Sequence, residues 1–216
     1  MKRLIYVLGI AATIMMSSCG NSQKPEEKPQ NHSAEQKPKQ ETCIYAVVQD
    51  SLKVYWTAFK HTAKVPVKGA FDTVTVTLKN NAETVEQILA SASFAVQTYS
   101  VNSGDEGRDA KIRSFYFDKL ANGKTIQGKI LSAANGEADI ELTINNIIKT
   151  VKGKYSTGEN LLKLKTVVNM EDFNAQESIE ALQEACKEKH TGSDGITKLW
   201  SEVEILAQVP YKKQCK

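Results

Sequence analysis

Few side chains in this 216-residue sequence stand at spacings that could do chemistry. Cys186 and His190 are four apart, so on a helix they share one face and could offer a thiolate and an imidazole to a metal ion or haem iron. Two ligands rarely complete a metal site. The preferred reading is a cysteine facing the core or a disulfide, followed by a histidine whose charge suits a helix C-terminus. The other histidines are His32, among Pro, Lys and Gln, and His61, at the end of an apolar run. Arg108-Asp109 and Asp172 could be a catalytic pair or a buried polar set that organises a loop, and the loop role is preferred. No Gly-x-Ser-x-Gly elbow, His-Glu-x-x-His pair, Cys-x-x-Cys, P-loop or dinucleotide fingerprint occurs. Neither catalysis nor a metal site is expected.

Cys19 offers a different chemistry. Lys2 and Arg3 precede an apolar run from Leu4 to Met16 and then Ser17-Ser18-Cys19. A basic start, a short apolar stretch and small residues before a cut describe a secretory signal. The apolar run is well short of the roughly 20 residues that span a bilayer. Ser17-Ser18-Cys19 resembles the bacterial lipobox, whose cysteine is acylated after cleavage, so residues 1–18 are expected to be removed and Cys19 to carry lipid. The expected location is the cell envelope, anchored to a bacterial membrane at the outer membrane or periplasmic face, without spanning it.

Removing Lys2 and Arg3 from 28 basic side chains leaves 26 against 25 acidic ones. That balance, with no clustered basic stretch, argues against a nucleic-acid partner. Residues 20–42 hold three of the five prolines, four Lys, four Glu and no large apolar side chain. Such a segment cannot bury enough surface to offset its ordering entropy. Residues 19–42 are therefore expected to form a flexible tether reaching about 25–30 Å. Beyond it, Cys43, Cys186 and Cys215 lie in an oxidising compartment. Their connectivity is open; a clasp between the first and last elements is the favoured use of one pair.

From Ile44 the apolar period becomes two. Val54, Trp56 and Ala58 alternate with Tyr55, Thr57 and Phe59; Val74, Val76 and Leu78 with threonines; Ile140, Leu142 and Ile144 with Glu141 and Thr143. Phe94/Val96, Leu162/Leu164 and Val203/Ile205/Ala207 continue the pattern. Short strands with one wet face, separated by Asn/Gly turns, indicate an antiparallel barrel or sandwich. Helices are expected over 108–118 and over 174–190, the second with Asn174 as N-cap and Glu177 three residues on. Residues 43–216 show no internal linker and form one domain. A small barrel can be filled by side chains or can hold a ligand, and alternation alone does not separate the two. The small residues Ala58, Gly128, Gly153 and Ala207 would leave room.

Four blocks carry a family resemblance. Val54–Lys60 followed by Val67-Lys68-Gly69-Ala70-Phe71 is similar to an opening hairpin with Gly-x-Phe, and Arg108–Ser114 with Phe115 and Phe117 to a helix that begins Arg-Asp and ends in aromatics. Leu142–Asn146 with Lys149 and Val151 matches a hairpin in which Asn146 stands for Gly. Phe173–Gln176 and Lys198–Val203 match a lipoprotein subgroup. Together they resemble the YceI-like family of lipid- or polyisoprenoid-binding proteins. The resemblance implies an all-β, extended lipocalin-like antiparallel barrel of about eight strands with two short α-helices. It implies a ligand such as a polyisoprenoid, quinone or fatty lipid, with no cofactor bound covalently in the domain. Ligand-facing positions are then the inward ones: Val54, Trp56, Ala58 and Phe71 on the first hairpin, Phe94 and Val96 on the next wall strand, and Phe115 on the helix. Leu142, Ile144, Leu162, Leu164, Val203 and Ile205 complete the set. Lys60, His61 and Arg108 would meet a head group at the mouth. A solid-core protein working through protein–protein contacts is the alternative.

Overall fold

The structure is a computed structural model and describes residues 43–215; the expected signal segment, acylated Cys19 and tether lie outside them. The strands are β1 (Cys43–Val47), β2 (Lys53–Lys60), β3 (Val65–Phe71), β4 (Val74–Leu78), β5 (Ala92–Gln97) and β6 (Val101–Asn102), then β7 (Thr125–Ala134), β8 (Glu137–Ile144), β9 (Ile147–Thr157), β10 (Leu161–Asn169) and β11 (Glu202–Cys215). All pair antiparallel, in the order β4-β5-β7-β8-β9-β10-β11-β2-β3-β6, with β1 on β11.

Eleven strands make eight staves. β3 and β4 are one strand bent at Asp72-Thr73, and β5 and β6 are one strand interrupted by a single turn at Thr98–Ser100. The bonds Asp72 N–H to Ser100 O and Gln97 N–H to Thr73 O carry the pairing across both bends. β1 prolongs the line of β2 along the 14-residue β11. Each stave then has two neighbours, so the barrel closes, and the free edge of β4 is met by the Gln49 side chain at Val74 O and Val76 N–H. The expectation of about eight strands holds in this sense.

Local chemistry fixes the hairpins. Asn135-Gly136 and Asn145-Asn146 both have positive φ at each position (53° and 81°; 53° and 62°), the geometry of a two-residue turn whose twist matches the flanking strands. Asn146 therefore does here what glycine does elsewhere.

Four helices close the ends: α1 (Val85–Ala90), α2 (Glu106–Phe115), α3 (Gln176–Ala185) and α4 (Lys187–His190). The sequence anticipated a helix at 108–118 and one at 174–190, but not α1. α1 inserts Ile88 and Leu89 into one end of the barrel, and α2 and α3 pack together at the other. Asn174 is not an N-cap. It takes a left-handed conformation (φ 53°) ending the turn Met170–Phe173, and Ala175 begins α3 without a side-chain cap. A disulfide joins Cys43 to Cys215, leaving Cys186 as a thiol.

The barrel interior as candidate site

The site is built by strand alternation. On β11, Val203, Ile205, Ala207 and Val209 all face inward, while Glu204 faces out. Val54, Trp56 and Ala58 do the same on the adjoining β2. Together with the other staves they enclose a cavity of about 230 Å³. This exceeds the roughly 150 Å³ apolar cavity known to take up benzene in an engineered protein. It is smaller than the roughly 300–1,000 Å³ of pockets for compact drug-sized ligands. From Val203 to Val209 the wall strand rises about 20 Å, or about 15 Å along the axis at usual barrel tilts. Trp200, Ile112 and Leu182 stand at one end of the cavity, and Leu52, Ile88 and Leu89 at the other. Spread over that length, about 230 Å³ makes the cavity a narrow slot.

Most of the inward positions read from sequence lie on this wall: Val54, Trp56, Ala58, Phe71, Phe94, Val96, Leu142, Ile144, Leu164, Val203 and Ile205. Two do not. Leu162 is wholly buried (0% exposed) opposite Val209 but does not line the cavity. Phe115 is 41% exposed and faces away. The helix explains this correction: Ile112 and Tyr116, four apart, share the inner face of α2, and a neighbouring residue lies about 100° around at 3.6 residues per turn. Tyr116, Ile88 and Leu89 are wall residues that strand alternation could not reveal.

The small residues divide. Ala58 and Ala207 line the cavity. Gly128 and Gly153 do not widen it, because cross-strand side chains take their space. A Cβ on Gly128 would collide with the Phe94 ring, and one on Gly153 would come within 2.8 Å of Ile140 and 3.1 Å of Leu164.

Almost every wall atom is carbon. Four wall side chains can donate a hydrogen bond. Trp56 Nε1–H donates to Ala70 O (3.2 Å), Trp200 Nε1–H to His61 O (2.7 Å), and Thr166 Oγ1–H to Lys152 O (2.8 Å). The Tyr116 hydroxyl has no partner among the described residues, and burial holds its pKa far above the usual phenol value. A broader hollow on the outer face, about 1430 Å³, is open and lined by charged residues such as Lys68, Asp139 and Lys152; it encloses nothing.

The mouth differs from expectation. Lys60 Nζ and His61 Nε2 both bond Lys189 O, each at 3.0 Å, so they satisfy a helix-terminal carbonyl. Arg108 does not join them; it pairs with Asp105, the N-cap of α2. Asp109 is buried and accepts from the Ser103 N–H and hydroxyl, the loop-organising role preferred above, whereas Asp172 is exposed elsewhere. Cys186 ends α3, and His190 N–H bonds Cys186 O. His190 is 9% exposed with Nδ1 unpartnered. Burial first, then the charges of Lys60, His61 and Lys111, lowers its pKa to about 4. Among the described residues no group of three His, Cys, Asp or Glu side chains could hold a metal ion.

A family model described as the YceI-like domain matches residues 45–208. Among solved structures, a polyisoprenoid binding domain from Saccharophagus degradans, implicated in plant cell wall breakdown, superposes with a TM-score of 0.58 at 13% identity, covering 79% of this chain and 98% of that one. BcnA of Burkholderia cenocepacia gives 0.50 at 18% identity, covering 77% and 99%. At these identities the likeness is one of fold. No curated protein matches the sequence significantly.

Proposed function

The chain belongs to the YceI-like domain family, and from that premise we propose that it binds a long apolar lipid, a polyisoprenoid or fatty amphiphile, inside the barrel. The observation that carries this is the carbon-lined slot running between α1 and the α2–α3 pair. A lipid tail exposed to water is costly, and each CH₂ moved into such a wall contributes about 0.8 kcal/mol. The binding of a polyisoprenoid by the structurally similar domain supports the same ligand class. The alternative, a solid core working only through protein contacts, is disfavoured by the enclosed volume. No role in catalysis is assigned to His61 or His190: one is engaged with a backbone carbonyl and the other is buried and neutral.

The proposal extends to location. Cys19 is read as the acylated first residue, residues 19–42 as a tether, and the protein as a store or shuttle for lipid in the cell envelope. The Cys43–Cys215 disulfide supports an oxidising compartment. Native mass spectrometry of protein gently purified from membranes tests the whole reading. A co-purifying amphiphile is expected; a clean apo mass, with no uptake of added isoprenoids, would contradict it.

A further inference from the structure

Three of the four hydrogen-bond donors on the cavity wall are spent on backbone carbonyls: the indoles of Trp56 and Trp200 and the hydroxyl of Thr166. The fourth, on Tyr116, is unpartnered among the described residues, on a half-buried side chain that lines the cavity. It stands at the α2 end, next to Ile112, with its ring edge-on to Phe117 at 5.4 Å.

We propose that Tyr116 determines ligand specificity: its hydroxyl donates a hydrogen bond to a neutral carbonyl-type oxygen at the head of the bound chain. This rests on the lipid-binding reading and adds to it the head-group class and the orientation, tail toward Ile88 and Leu89 and head beneath α2. The wall chemistry selects the class. Among the described residues no charged side chain lines the cavity, and the nearby Lys60 and His61 hold the Lys189 carbonyl, so a carboxylate or phosphate would be desolvated without a counter-charge. An alcohol could accept from Tyr116, but its own proton would then need a second acceptor, and the wall side chains offer only the hydroxyl oxygens of Thr166 and Tyr116 itself, so an alcohol is harder to satisfy than a carbonyl. A ketone, quinone, ester or amide carbonyl leaves nothing unmet. Burial raises the phenol pKa, so the group remains a donor at neutral pH.

The test titrates a long-chain methyl ketone and the straight alkane of the same carbon count into wild type and Tyr116→Phe, read by the emission of the wall tryptophans Trp56 and Trp200. The four affinities form a cycle in which the ligands' own solubilities cancel. Wild type is expected to favour the ketone, and Tyr116→Phe to lose about two- to tenfold of that preference. Its alkane affinity should be unchanged or higher, which also verifies that the variant is folded. An undiminished ketone preference in Tyr116→Phe would overturn the assignment while leaving lipid binding intact. Failure of wild type to bind either probe would overturn both.

Discussion

Gly69 lies directly opposite Trp56 across the β2–β3 pair, and the indole occupies the space that a side chain at position 69 would need. A Cβ there would also come within 2.6 Å of Asn102 O, on the far side of β3. The absence of a side chain at 69 thus lets Trp56 lie against the wall and donate to Ala70 O.

Gly69→Ala is therefore expected to displace the indole, with an overpacking cost of about 1–3 kcal/mol. Denaturant unfolding gives the cost, and a changed tryptophan emission reports the displacement. Wild-type stability and emission in the variant would show that Trp56 is not held there.

His190 ties stability to pH. Its folded pKa of about 4 lies below the ordinary 6.5, so between those values the unfolded chain takes up a proton that the folded chain refuses. Stability is full above about pH 6.5 and is lost as pH falls toward about 4. Melting temperatures of wild type and His190→Asn across this range should converge or cross as the pH drops, because only wild type bears this penalty. Parallel curves would mean that His190 is free to protonate in the fold.

The Cys43–Cys215 bond closes nearly the whole domain, 172 residues apart. Replacing both cysteines by serine should cost about 2–5 kcal/mol. Neither residue touches the cavity wall, so lipid affinity should not change. An unchanged melting temperature would show that the bond adds nothing to the barrel.

Much of this was legible in the sequence, for a physical reason: one wet and one dry face impose a period of two. Val54-x-Trp56-x-Ala58 and Val203-x-Ile205-x-Ala207 therefore face the interior as read. Interruptions to that period were not legible. The bend at Asp72-Thr73 and the turn at Thr98–Ser100 split two staves into four strands through long-range bonds that leave no local pattern. α1 did leave a signal. Thr84 accepts from the Gln87 N–H (3.2 Å) and the Gln87 side chain reaches back to the Glu83 N–H (2.6 Å), a Thr-x-x-Gln start before Ile88-Leu89. Among the site residues, Phe115 was taken as the wall residue of its helix, but helix phase turns Ile112 and Tyr116 inward instead. Gly128 and Gly153 were read as open space because sequence does not show the cross-strand neighbours that fill it.

Lipid binding in the barrel requires a slim apolar chain to occupy the space bounded by Ala58. Ala58→Trp would fill that space from the wall, and Thr57→Trp adds the same side chain one residue along, on the outer face. The most direct measurement is the affinity of both variants and wild type for one long isoprenoid, with thermal unfolding followed in parallel. Binding should fall by at least about tenfold in Ala58→Trp and persist in Thr57→Trp, with all three folded. Equal binding by Ala58→Trp and wild type would place the lipid elsewhere and contradict the account.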